Sequence, residues 1–113
     1  GKVVIFEDFW YGEDIEATLY KAEEIEGYYV IKDALCDGYD IAFTYDGVNV
    51  TFPSPLKLLY DEEGEWYTLC MLDTEATIKD NVITAIGESW FSDWDEYYGP
   101  ITMTITLPED WNK

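Results

Sequence analysis

Alternation of apolar and polar residues with a period of two constrains this chain more than any other feature. In Ile101-Thr102-Met103-Thr104-Ile105-Thr106-Leu107 the apolar side chains face one way and the threonines the other, the pattern of a half-buried strand. The same alternation runs through Ile15, Ala17 and Leu19, through Ile41, Phe43 and Tyr45, and through Val48, Val50 and Phe52. Weaker strand patterns cover 3–10, 28–32, 66–72, 76–79 and 82–86. Turn signals separate them. Asp46-Gly47 between two alternating runs predicts a two-residue hairpin, and Asp80-Asn81 a second. Glu26-Gly27, Asp37-Gly38 and Glu63-Gly64 mark further reversals, and Pro53 and Pro55 end a strand because proline donates nothing to a ladder.

Helical pattern is scarce. Residues 22–25 and 56–60 could each form one turn, well short of the ~12 residues a self-supporting helix needs. About eight or nine short strands with connections too short for crossovers predict one all-β domain over 1–113. The expected form is a mostly antiparallel β-sandwich, with a small barrel as the alternative.

The charge then narrows function. The chain carries 25 acids against 6 lysines, a net charge of −19, with no Arg and no His. Aromatics reach 18%, so the acidity belongs to a folding chain and its surface, not to a disordered tail. The negative field argues against nucleic acid and anionic membranes, which need cationic contacts. No apolar run approaches the ~18 residues of a membrane-spanning helix. Cys36 and Cys70 make no CxxC pair and have no histidine to complete a zinc site. Two small core residues is one reading of them, and a disulfide in an oxidising compartment the other.

The segment Ala17-Thr18-Leu19-Tyr20-Lys21, then Gly27 to Ile31, then Gly38 to Asp46, with the closing Tyr98-Gly99-Pro100-Ile101 through Leu107, resembles domains of uncharacterised secreted or surface-anchored lipoproteins of gut Bacteroidetes. The resemblance spans Phe9 to Leu107. It implies an exported, β-sandwich-like body at the cell surface, with any lipid anchor outside this sequence, and brings no established chemistry and no catalytic residue. Gly1 directly before a strand pattern fits either an expression remnant or a mature start from which an export signal has been removed.

The most unusual stretch is 88–99, which mixes four acids with five aromatics between two clear strands. Sugar rings stack their CH groups on Trp or Tyr and bond their hydroxyls to carboxylates. Read as a loop, this stretch predicts a glycan or protein contact surface led by Trp90, Trp94, Tyr97 and Tyr98, extended by Trp66 and by Trp10 and Tyr11. The competing reading folds these rings back as a cap on the core. In the strand that follows Trp66, alternation places Tyr67, Leu69 and Met71 inward and Trp66 outward.

Calcium is the one cofactor the acid clusters admit, at Asp93, Asp95 and Glu96, at Asp37 with Asp40, or along 61–65. An EF-hand reading from Asp93 fails, because Tyr98 occupies the required glycine position. Catalysis is not expected: there is no histidine base, no nucleophile elbow and no phosphate loop. The sequence thus reads as a non-catalytic extracellular module contacting glycan or protein through exposed aromatics. The alternatives are an acidic DNA mimic that inhibits a basic protein, and a calcium-dependent adhesion domain.

Overall fold

A computed structural model describes residues 1–8, 12–36, 39–53, 56–59, 69–91 and 95–111. Its strands are β1 (Lys2–Glu7), β2 (Asp14–Lys21), β3 (Tyr28–Cys36), β4 (Tyr39–Tyr45), β5 (Val50–Thr51), β6 (Leu56–Leu59), β7 (Leu69–Lys79), β8 (Val82–Phe91) and β9 (Glu96–Thr106). No α-helix occurs among the described residues. The strands form one antiparallel sheet in the order β5-β4-β3-β2-β1-β9-β8-β7-β6. Two meanders, β1 to β5 and β6 to β9, are thus joined by the pairing of β1 with β9, with Ile5 opposite Ile105. The sheet rolls until β5 approaches β7 and β6 approaches β3, which makes it a nearly closed barrel. The expected all-β, antiparallel architecture holds, in a continuous rolled sheet.

The seam of the roll lies between β5 and β6, which are neighbours in sequence but opposite edges of the sheet. The residues between them are Phe52-Pro53-Ser54-Pro55. Two prolines in four residues remove two donors from any ladder that would close the gap.

Alternation sends the core inward as expected. Val3 and Ile5, Ala17 and Leu19, Ile41 and Phe43, Ile83 and Ala85, and Ile101, Met103 and Ile105 are all buried. Each large aliphatic side chain so buried contributes roughly 1.5–3 kcal/mol. Among the described residues the carboxylates go outward, apart from Glu7, which follows Val3 and Ile5 on the inner face of β1 and is buried.

One end of the roll is stoppered by rings. After β9 the chain turns at Pro108, and the Trp111 N–H donates to the Pro108 carbonyl at 3.1 Å. Trp111 then packs at ring-centre distances of 5.0 Å on Tyr29 and 5.0 Å on Tyr45, and Tyr29 stacks on Phe43 at 5.3 Å. Burial among these rings raises the Tyr29 hydroxyl pKa, with the nearby Tyr45 hydroxyl adding to the effect.

Several local expectations shift. Residues 56–59 form strand β6 and not a helical turn, because Leu56 pairs opposite Met71 at the sheet edge. Residues 22–25 form bends closed by Ala22 N–H to the Tyr28 carbonyl at 2.9 Å. The patterns at 66–72 and 76–79 belong, over the described residues, to one strand, β7. A bulge joins them: Asp73 and Thr74 together lie opposite Gly87, with Asp73 at a φ of 52°. Val48 is exposed in a turn, and β5 begins only at Val50.

The two hairpins differ in kind. At Asp80-Asn81 both turn residues have positive φ, 52° and 64°, the two-residue primed turn the sequence predicted. At Asp46-Gly47 the turn moves one residue along. Gly47 takes a φ of 102°, while the Asp46 carboxylate accepts the Val48 N–H at 2.9 Å and the Asn49 N–H at 2.6 Å. Asp46 therefore caps the turn from its first position.

Two substitutions test this packing by chemical denaturation. A Cβ on Gly87 would lie 2.4 Å from Met71 Cγ and 2.6 Å from the Leu72 carbonyl oxygen. Gly87→Ala is expected to cost about 1–3 kcal/mol through overpacking against backbone. Trp111→Ala is expected to cost about 3–5 kcal/mol by unstoppering the core. A loss below ~1 kcal/mol in the second case would show that the C-terminal turn contributes little.

Candidate functional site

The stretch 88–99 is mostly strand rather than loop. β8 runs through Phe91 and β9 starts at Glu96, so only 92–95 connect them. The alternation of β8 puts Ser89 and Phe91 inward and Trp90 outward. Ser89 is buried, and its hydroxyl donates to the Gly99 carbonyl at 2.8 Å. Opposite Trp90 stands Tyr97, whereas Ser89 stands opposite Gly99, so Tyr98 is the extra residue of a bulge. Gly99, at a φ of 95°, supplies the positive φ that this bulge needs.

The bulge separates the neighbouring tyrosines. Tyr97 lies beside Trp90 with ring centres 6.4 Å apart and planes inclined by 31°. Tyr98 meets the buried Phe91 edge-on at 5.2 Å. Both stay open to solvent, Tyr97 at 59% and Tyr98 at 49% exposure, while Trp90 is half-buried. Neither the contact-surface reading nor the core-cap reading describes all the rings: Phe91 caps the core and Tyr97 stands in water.

The acids here hold the aromatics. The Trp90 indole N–H donates to Asp95 Oδ1 at 2.8 Å, and the Tyr98 hydroxyl to Glu96 Oε2 at 2.7 Å. Asp95 has a φ of 52°, a conformation that aspartate tolerates better than most residues. Each carboxylate keeps lone pairs for a further donor. Among the described residues, no group of three or more His, Cys, Asp or Glu is placed to hold a metal ion. Asp93, Trp94, Trp66, Tyr67, Trp10, Tyr11, Asp37 and 61–65 lie outside the described residues, as does the side chain of Leu69. Met71 faces the core as expected, and Cys70 is a buried thiol on the opposite face, across from Trp90.

A second polar cluster, apart from Asp40 not anticipated from sequence, sits where β3 and β4 slip register between Ile31 and Cys36. There Asp33 takes a φ of 48°. Asp40 accepts the Asp33 N–H at 3.1 Å and the Lys32 ammonium at 3.1 Å. These bonds, the backbone one first, hold the Asp40 carboxyl below its ordinary range, and the same pairing raises the Lys32 ammonium pKa. The arrangement fastens a bulge and leaves Asp40 committed.

Hollows exist at the stoppered end. One of about 420 Å³ is lined by Lys21, Glu26, Tyr29, Tyr45 and Asp46, and an apolar one of about 270 Å³ by Tyr28, Phe43, Phe52 and Pro53 among others. Trp90 and Tyr97 line neither, and lie at the other end of the roll. Compared with protein-family models, curated proteins and solved structures, the chain matches none.

The Asp40 cluster gives a pH signature. A carboxyl with a depressed folded pKa contributes stability that is complete above its unfolded value, near 3.8, and is lost as pH falls through the lower folded value. Other carboxylates titrate in that range, so the comparison is with Asp40→Asn, which keeps an acceptor for Asp33 but no charge. The wild type should be the more stable at pH 6, and the gap should narrow below pH 3.8 as followed by urea unfolding. A gap unchanged down to pH 2 would contradict the assignment.

Proposed function

We propose that this domain is a non-catalytic carbohydrate-binding module of an exported or surface-anchored protein, with its contact platform at Trp90 and Tyr97. The observation that carries the reading is the exposed Tyr97 ring beside the Trp90 ring, with the Asp95 carboxylate bonded to the indole edge. Two rings inclined by only 31° offer π-faces to the CH groups of a sugar. The carboxylates of Asp95 and Glu96, each held in place by an aromatic donor, offer acceptors to its hydroxyls. A platform already assembled by hydrogen bonds loses little freedom on binding.

The acidic-mimic alternative needs carboxylates in file along one face. Among the described residues the exposed acids lie on β2, β3, β7, β8 and β9 and in turns at both ends of the roll, so the reading draws no support from their placement.

A panel of neutral and charged oligosaccharides, followed through the indole N–H resonance of Trp90, tests the proposal. Binding should weaken about tenfold in Tyr97→Ala, roughly 1.4 kcal/mol, with the unfolding midpoint unchanged. No binding across the panel, or undiminished binding by Tyr97→Ala, would overturn it.

A further inference from the structure

The platform continues along the outer face of the sheet. On β8 the outward residues after Trp90 are Glu88, Ile86, Thr84 and Val82, and opposite them on β9 stand Pro100, Thr102, Thr104 and Thr106. On β1, Val4 lies opposite Thr106 and Phe6 opposite Thr104. Ile86 is 50% exposed and Phe6 37%. From Tyr97 to Thr106 this strip is about 30 Å long at ~3.3 Å per residue. Two strands wide, it covers about 300 Å².

Its charge is unlike the rest of the molecule. In a chain of net charge −19, the outward positions of β9 from Tyr97 to Thr106 carry no Asp, Glu or Lys, and those of β8 carry only Glu88. The surroundings frame it with charge: Glu75 and Lys79 on β7, Asp14 and Glu16 on β2, and Asp8 just past β1, whose carboxylate accepts the Thr102 N–H at 2.9 Å at the strip's edge. Exposed Ile86 and Phe6 supply apolar contact, and the threonines supply hydroxyls that both donate and accept.

Size and shape select the occupant. A stable protein interface takes roughly 800 Å² per partner. The strip offers less than half of that and is long and narrow, the shape of one extended polymer chain. An anionic polymer would have to approach against the field of the whole domain. We infer that this strip binds a single extended chain of neutral polysaccharide, running from Tyr97 toward Thr106, and that polyuronates and sulfated chains are excluded. The inference rests on the carbohydrate-binding reading of Trp90 and Tyr97.

The experiment uses length ladders of neutral β-glucan, xylan, mannan and α-glucan oligosaccharides, with a polyuronate ladder as the charged arm. Affinity should rise with chain length until the ligand spans the strip, and should be insensitive to salt. The polyuronates should bind at least tenfold more weakly at low ionic strength and recover part of that loss as salt screens the field. Thr106→Glu, at an exposed position, should leave the shortest binders unaffected and remove at least fivefold of the gain from length; Thr104→Glu should act alike if it keeps the native dichroism spectrum.

If no ligand of any length binds, the carbohydrate reading falls and this inference with it. If short ligands bind through Tyr97 but length adds nothing, or Thr106→Glu keeps the whole gain, the strip is not part of the site and only this inference fails. Equal binding of polyuronates at low salt would likewise overturn it. So would sedimentation showing self-association that Thr106→Glu abolishes, because the strip would then be a face between copies.

Discussion

The antiparallel pairing of β1 with β9 is the interaction on which the rest of this structure depends. Among the described residues every other ladder joins strands adjacent in sequence, whereas this one brings Val4 to Thr106 across almost the whole chain. It turns two open meanders into one rolled sheet. Alone, each meander would expose an apolar face and an unpaired edge at β1 or β9, a template for association with other chains. Closing so long a loop costs chain entropy before it returns any contact, so folding should be slow for the size of the domain. The alternative closure, β5 with β6, would be local but has prolines in its connection. The chain therefore opens where it could have closed cheaply and closes where the sequence separation is greatest.

That closure lets strong acidity and a dense core coexist. Alternation gives each strand one face for Ile, Val, Met and Phe and another for carboxylates and threonines, and rolling turns all the apolar faces toward one another. The radius of gyration is 13.7 Å, close to the about 13 Å of a compact chain of this length. Several acids are also put to structural use. Asp46 caps a turn, Asp40 fastens a bulge, Asp8 accepts the Thr102 N–H at 2.9 Å, and Asp33, Asp73, Asp80 and Asp95 occupy left-handed positions. Part of the aspartate content thus serves the backbone, where glycine or asparagine would be the usual choice.

Much of the architecture could be read from the chain because period-two patterning and Asx-Gly or Asx-Asn turns are local signals. Ile101 to Leu107 and the turn at Asp80-Asn81 stand as read. What could not be read was what depends on register. Nothing in 88–99 announces that Trp90 pairs with Tyr97 while Ser89 pairs with Gly99, so a hairpin end looked like a loop. The bulge at Asp73 looked like a break between two strands, and the edge strand Leu56–Leu59 looked like a helical turn, because only its partner β7 makes it extended. Trp111 follows a proline after the last strand, a signal that the chain stops extending, but its seat on Tyr29 and Tyr45 is a tertiary fact. The aromatic candidates are legible as residue types, but their division into core cap and solvent-facing rings depends on the bulge at Tyr98.

The proposed carbohydrate site would inherit its precision from the same closure, since β9 carries Tyr97 and the threonine row at once and is held on one side by β8 and, over Met103 to Thr106, on the other by β1. A site on paired strands is rigid where a loop would adapt, which suits a flat, repeating ligand better than a compact one. The account stands or falls on whether the two halves behave as one unit. Native-state amide hydrogen exchange measures this directly. The account predicts that amides of 4–7 and 103–106 exchange only through global unfolding, with the same free energy as protected amides in β3 and in β8. Separate, lower exchange free energies for the β1–β5 half, or early loss of protection along β1, would contradict it.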